Sequence, residues 1–216
     1  MGLCACGNPA EAESAILAAK LETVKEQLAE AEYVHHYEAV IAALQELKDV
    51  DGAQAVLEEA TQKLDEESLS MVKYYIETAK NGVDAKEYAQ KISDKVVAEK
   101  ICVWIDFQWY VQDVHKQIVD LYKNTLKNPN SYTDLGSTYT FTAKPSNKQG
   151  EILLNAFTLT LRYTATNSFG GAVQDTCEFP ATDLTWVCNN DILTAEQICD
   201  TISYYQFGDL YNALSK

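Results

Sequence analysis

Cysteine and histidine are the side chains of this chain best suited to chemistry, so their spacing comes first. Beyond Cys4 and Cys6 the sequence holds Cys102, Cys177, Cys188 and Cys199. Outside the cytoplasm Cys188 and Cys199 can pair and close the loop between the last strand and a C-terminal helix, with Cys177 an alternative partner. Four cysteines allow three pairings, and spacing alone does not choose among them. Cys102 lies among apolar residues and reads as a buried thiol. There is no Cys-x-x-Cys, the spacing on which zinc ribbons and thioredoxin chemistry rest. His35 and His36 are adjacent, so on a regular helix they point about 100° apart, unlike the i, i+4 pairs that share a metal. Asp113 and His115 are also out of helical register with one another. No cofactor or metal is expected. Gly-x-Ser-x-Gly, a phosphate loop and His-Glu-x-x-His are all missing from the sequence. Glu58-Glu59 and Glu66-Glu67 read as solvated carboxylates. The 13 tyrosines, clustered at Tyr74-Tyr75, at Tyr204-Tyr205 and near Phe207 and Tyr211, read as core rings with hydroxyls at the edge.

Two kinds of element must position these groups. From Ala10 to Leu126 there is no proline, and apolar residues recur at intervals of three and four: Leu17, Leu21, Val24, Leu28, Ala31, then Val34, Tyr37, Ile41, Leu44. One helix from 11 to 48 would be about 55 Å long, so the chain either folds back as a hairpin or bends near His35. Asp51 is a candidate N-cap after Asp49-Val50-Asp51-Gly52, and Asp65 or Ser68 a candidate cap for a third helix. Asn81-Gly82 ends that helix, with Gly82 suited to the left-handed conformation. The stretch from Asp84 to Leu126 contains Ile101-Cys102-Val103-Trp104-Ile105 and reads as the central helix of a bundle. Val50-Asp51-Gly52-Ala53 faintly echoes Gly82-Val83-Asp84-Ala85, a hint of a helical repeat.

At Pro129 the period changes to two. Tyr139, Phe141 and Ala143 alternate with threonines, and Phe157, Leu159, Leu161, Tyr163 and Ala165 alternate with Thr158, Thr160, Arg162 and Thr164. Asn167, Ser168, Phe169, Gly170 and Gly171 form a hairpin turn whose glycines allow positive φ. The return strand carries Val173, Cys177 and Phe179, and a last strand runs over 184–188. Thr194 or Asp191 starts a helix through Ile198 and Ile202. The expected fold class is α+β: an acidic helical bundle or hairpin, then a small antiparallel sheet with a C-terminal helix. The domain reading is a leader over 1–10, a helical domain over 11–126 and an α+β module over 127–216.

Composition excludes some functions. The 216 residues carry a net charge of −15 from 32 acids and 17 bases. Such a chain repels phosphate backbones and anionic lipid headgroups, so no nucleic-acid partner is expected. No apolar run approaches the roughly 20 residues that span a bilayer.

Leu3-Cys4-Ala5-Cys6-Gly7 resembles the end of a bacterial lipoprotein signal peptide of the Gram-positive type. Leu3, Ala5, Cys6 and Gly7 fill the family's positions, and Cys4 is the weakest match. The basic and most of the apolar regions of such a peptide are missing, so Met1-Gly2 reads as a start added to a shortened precursor. The resemblance implies a lipid on Cys6, a membrane partner through that anchor, and an extracytoplasmic location at the bacterial cell membrane. The same letters also resemble an N-myristoylation and palmitoylation start, although that pattern wants Ser or Thr where Cys6 stands. It implies a dually acylated cytosolic scaffold.

A second likeness covers residues 118–180. Leu126-Lys127-Asn128-Pro129-Asn130-Ser131, followed by Leu161 to Gly171, is similar to a module of uncharacterised bacterial secreted proteins and lipoproteins. It implies the same location and carries no activity. The expected function is a non-enzymatic surface lipoprotein that binds a protein or glycan partner. The alternative is an extracytoplasmic enzyme or small-ligand carrier with a site between the two halves.

Overall fold

The computed structural model describes residues 9–203. The fold is α+β, as the two periods require. The chain divides into two compact units, residues 1–95 and 96–216.

The first unit is helical: α1 (Pro9–Ala29), α2 (Val34–Gln45), α3 (Ala53–Tyr74) and α4 (Gly82–Ala89). Leu21, Val24 and Leu28 of α1 meet Val40 and Leu44 of α2 and Ala53, Val56 and Ala60 of α3 in one buried cluster. The bend expected near His35 falls just before it, at residues 30–33. Two side chains of α2 hold it there. His36 Nδ1 accepts from the Glu32 N–H at 3.3 Å, and the Tyr37 hydroxyl donates to the Ala31 carbonyl at 2.9 Å.

Three expected caps are corrected. Gly52, at φ 81, precedes α3 instead of Asp51 acting as its cap. Helix α3 runs unbroken through Asp65 and Ser68. The Asp65 carboxylate instead accepts from the Ser93 N–H (2.8 Å) and hydroxyl (2.6 Å), pinning a turn 28 residues away. After a π-helical turn at Tyr75–Ala79, Lys80 takes the left-handed conformation that Gly82 was expected to supply, at φ 53. Asn81 then caps α4 by accepting from the Val83 and Asp84 N–H groups. The faint sequence echo is two helix starts, at α3 and α4.

The second unit places a helix on a sheet. Helix α5 (Lys95–Lys123) presents Val103, Phe107, Val111 and Val119 to the same cluster as Ile152, Leu154, Phe157, Leu159, Leu161 and Trp186. From sequence alone this helix is expected at the centre of a bundle, in a helical domain over 11–126. In the structure it belongs with the sheet, because the stripe Phe107, Val111, Val114, Ile118, Tyr122 matches the sheet's inward residues.

The sheet is antiparallel: β1 (Thr133–Asp134), β2 (Thr138–Pro145), β3 (Glu151–Thr166) and β4 (Ala172–Val187). Strand β4 pairs with β3 along its whole length, so β2 and β1 share the other edge of β3 in succession. Residues 173–179 and 184–188 are expected as two strands; the structure has one, ending at Val187, with Pro180 on the sheet's outer strand, where a missing N–H is tolerated. Ala156, at φ 50, is the extra residue of β3 opposite the step between Thr140 and Thr142 of β2. It reverses the alternation, so Leu154 and Phe157 both point into the core. Helix α6 (Ala195–Ile202) closes the unit. Thr194 is its N-cap in a reciprocal capping box with Gln197, and Ile198, Cys199 and Ile202 enter the cluster.

Candidate functional site

The β3–β4 turn is built around one side chain. Asn167 Oδ1 accepts from the N–H groups of Phe169 (2.9 Å) and Gly171 (3.0 Å), while its own N–H donates to the Gly171 carbonyl at 2.8 Å. Gly170 adopts φ 81, which only glycine does cheaply. Gly171 does not need positive φ. A Cβ there would meet the Asn167 side chain at 3.4 Å, an ordinary contact. Ser168 completes the loop. The turn holds Phe169 at 94% exposure. A phenyl ring left in water forgoes about 1.5–3 kcal/mol of burial. Val173, on the strand leaving the turn, is also exposed.

Below this tip, the sheet face opposite α5 is lined with hydroxyls. Cross-strand partners share a face, and the register runs Thr138, Thr160, Glu178 in one row and Thr140, Thr158, Pro180 in the next. Arg162, the only arginine in the chain, pairs with Thr176 on that face, and Thr164 lies between Thr133 and Gln174. Threonine suits a pleated surface that is neither core nor fully wet, which explains the alternation in sequence.

Sequence reading missed one convergence. His115 Nε2 lies 3.1 Å from Asp134 Oδ2 and 3.2 Å from the Ser137 hydroxyl, which itself donates to Asp134 at 3.2 Å. These are the residue types of a nucleophilic triad in a different arrangement. A relay holds the carboxylate on Nδ1 and leaves Nε2 for the serine. Here the carboxylate competes for Nε2 and accepts the serine proton itself. Asp134 Oδ1 also accepts the Gly136 N–H at 2.9 Å. The group fastens the β1–β2 turn to α5 and does not activate Ser137. No sequence signal links a helix residue to a turn 19 positions later.

A cavity of about 380 Å³ opens between the β2–β3 turn and α6. Ile152, Cys188 and Ile198 line it, under a rim that includes Lys148, Glu151 and Asn190. Lys148, Glu151 and Asn190 are engaged with protein. Lys148 reaches Glu151 at 3.4 Å, and the Asn190 amide donates to Glu99 while its oxygen accepts from the Ile192 and Leu193 N–H groups. The cavity offers an apolar floor, and these three rim groups are spent on protein partners.

Cys188 and Cys199 are buried thiols of the same cluster, and burial pushes the Cys199 thiol up from its ordinary value. Cys102 is buried and Cys177 half-buried. His35 and His36 stand in the first turn of α2 with ring centroids 4.3 Å apart. Among the described residues no group of three His, Cys, Asp or Glu side chains could hold a metal ion. Cys6 and the tyrosines at 204, 205 and 211 lie outside the described residues. No helix among the described residues is long and apolar enough to cross a membrane. The chain matches no protein-family model, no curated protein and no solved structure.

Proposed function

We propose that the protein is an extracytoplasmic lipoprotein, tethered through Cys6, that binds a protein or glycan partner through the β3–β4 hairpin without catalysing a reaction. The observation that carries the binding reading is Phe169. It is a large apolar side chain 94% exposed on a turn whose backbone is fixed by three hydrogen bonds to Asn167 and Gly171. Pre-ordered aromatic anchors lose little entropy on binding and supply much of an interface's energy. The threonine face beside it offers hydroxyls and methyls without net charge of one sign, which suits a neutral partner. The lipid tether rests on the resemblance of residues 3–7 to a lipobox.

The test is capture of partners from the surface of the producing cell by the wild-type protein and by Phe169→Ser. The reading expects a partner retained by the wild type and lost with Phe169→Ser, at unchanged thermal stability. Equal retention by both proteins contradicts it.

A further inference from the structure

In the helical unit, the start of α2, α3 and the end of α4 line an open groove of about 190 Å³. Aromatic rings enter it from two directions. Tyr33 and His35 stack at 5.9 Å between centroids with their planes 6° apart. From α4 comes Tyr88, stacked on Tyr75 at 5.5 Å and 19°. Met71 adds a polarisable thioether to the lining. Three carboxylates also reach the groove: Glu38, Glu67 and Glu87. Lys91 neutralises one of them, with its ammonium 2.7 Å from Glu38. Glu67 and Glu87 enter no ion pair among the described residues.

We propose that this groove binds a quaternary ammonium group, independently of the hairpin. Aromatic faces carry negative quadrupole charge and attract a cation, most strongly one that gives up its hydration easily. Methyl groups around the nitrogen match the rings and the thioether, and the two unpaired carboxylates balance its charge. A bare divalent ion is a poorer match, because no three carboxylate or imidazole groups among the described residues converge. A phosphate group is repelled by the same carboxylates. The groove is large enough for a trimethylammonium head.

The test is a titration of the whole protein with choline, followed by ligand-detected nuclear magnetic resonance, beside its neutral isostere 3,3-dimethylbutanol. The expected result is saturable choline binding with Kd on the order of a millimolar, and at least about tenfold weaker binding of the isostere. Glu67→Gln and Tyr88→Leu each weaken choline by about fivefold to tenfold, Tyr88→Phe retains binding, and Lys91→Met strengthens it. Circular dichroism of each variant confirms the helices. Phosphocholine and an acetylated trimethyl-lysine amide then separate the sources: the tighter of the two assigns a headgroup or a modified peptide, and either supports the site. Choline binding that fails to saturate, equal binding of the isostere, or full affinity in both Glu67→Gln and Tyr88→Leu overturns the proposal.

Discussion

The hydroxyls of Tyr122 and Tyr163 lie 2.5 Å apart and join the last turns of α5 to the central strand of the sheet. Tyr132 stacks on Tyr163 at 5.4 Å, with the Lys123 ammonium 5.0 Å from its ring. Burial, and then the bond to Tyr163, holds the Tyr122 hydroxyl well above the usual phenol range. Burial and the nearby Asp134 charge push Tyr132 up to about 12.

The pH dependence follows from that direction. A phenol with a raised pKa in the folded state keeps its proton while the unfolded chain loses it. Stability from both tyrosines is complete below the unfolded value of 10.0, and the Tyr132 part is lost as the pH rises through about 12. Urea unfolding measured between those values is expected to show a falling free energy, and the Tyr122→Phe, Tyr132→Phe double variant a flatter one. The Tyr132 hydroxyl is buried without a partner, so Tyr132→Phe alone is expected to change neutral-pH stability by less than about 1 kcal/mol.

Phe107 and Phe169 have opposite surroundings. Phe107 is fully buried, with Phe141 and Trp186 at 5.1 and 5.2 Å between ring centroids. Phe107→Ala is expected to cost about 3–5 kcal/mol in denaturant unfolding. Phe169→Ala is expected to stay within about 0.5 kcal/mol of the wild type.

Gly150 ends the β2–β3 turn at φ 75, and a Cβ there would lie 2.7 Å from Asn189 Oδ1. Gly150→Ala combines backbone strain with that contact and is expected to lower stability by about 1–2 kcal/mol. A melting temperature equal to the wild type's would show that the turn relaxes freely.

Ser137 donates its proton to Asp134 and shares His115 Nε2 with the carboxylate. A fluorophosphonate probe is therefore expected to leave Ser137 unlabelled, as judged by peptide mass mapping. Labelling that disappears in Ser137→Ala would make the cluster a working nucleophile.

Local rules carried much of this fold. The alternation of Leu159, Leu161 and Tyr163 against threonines places β3 and its buried face, and Thr194 with Gln197 marks the start of α6. What sequence could not supply were the long-range partners. Asp65 looked like a helix cap because carboxylates cap helices, yet Ser93 takes it. Ile101 to Ile105 are buried throughout, which hid the stripe that turns Phe107 and Val111 to the sheet. The hairpin turn was legible from Asn167 and the glycines. The approach of His115 to Asp134, and of Tyr33 and Tyr88 to one groove, depends on tertiary packing and leaves no local pattern.

The central claim is a tethered surface protein, and intact mass tests it most directly. The chain is produced in a bacterial host from a precursor with a full lipoprotein leader, beside Cys6→Ser. The account expects a diacylglycerol-sized increment on the protein that begins at Cys6, and its loss in the variant. An unmodified mass in both proteins would contradict it.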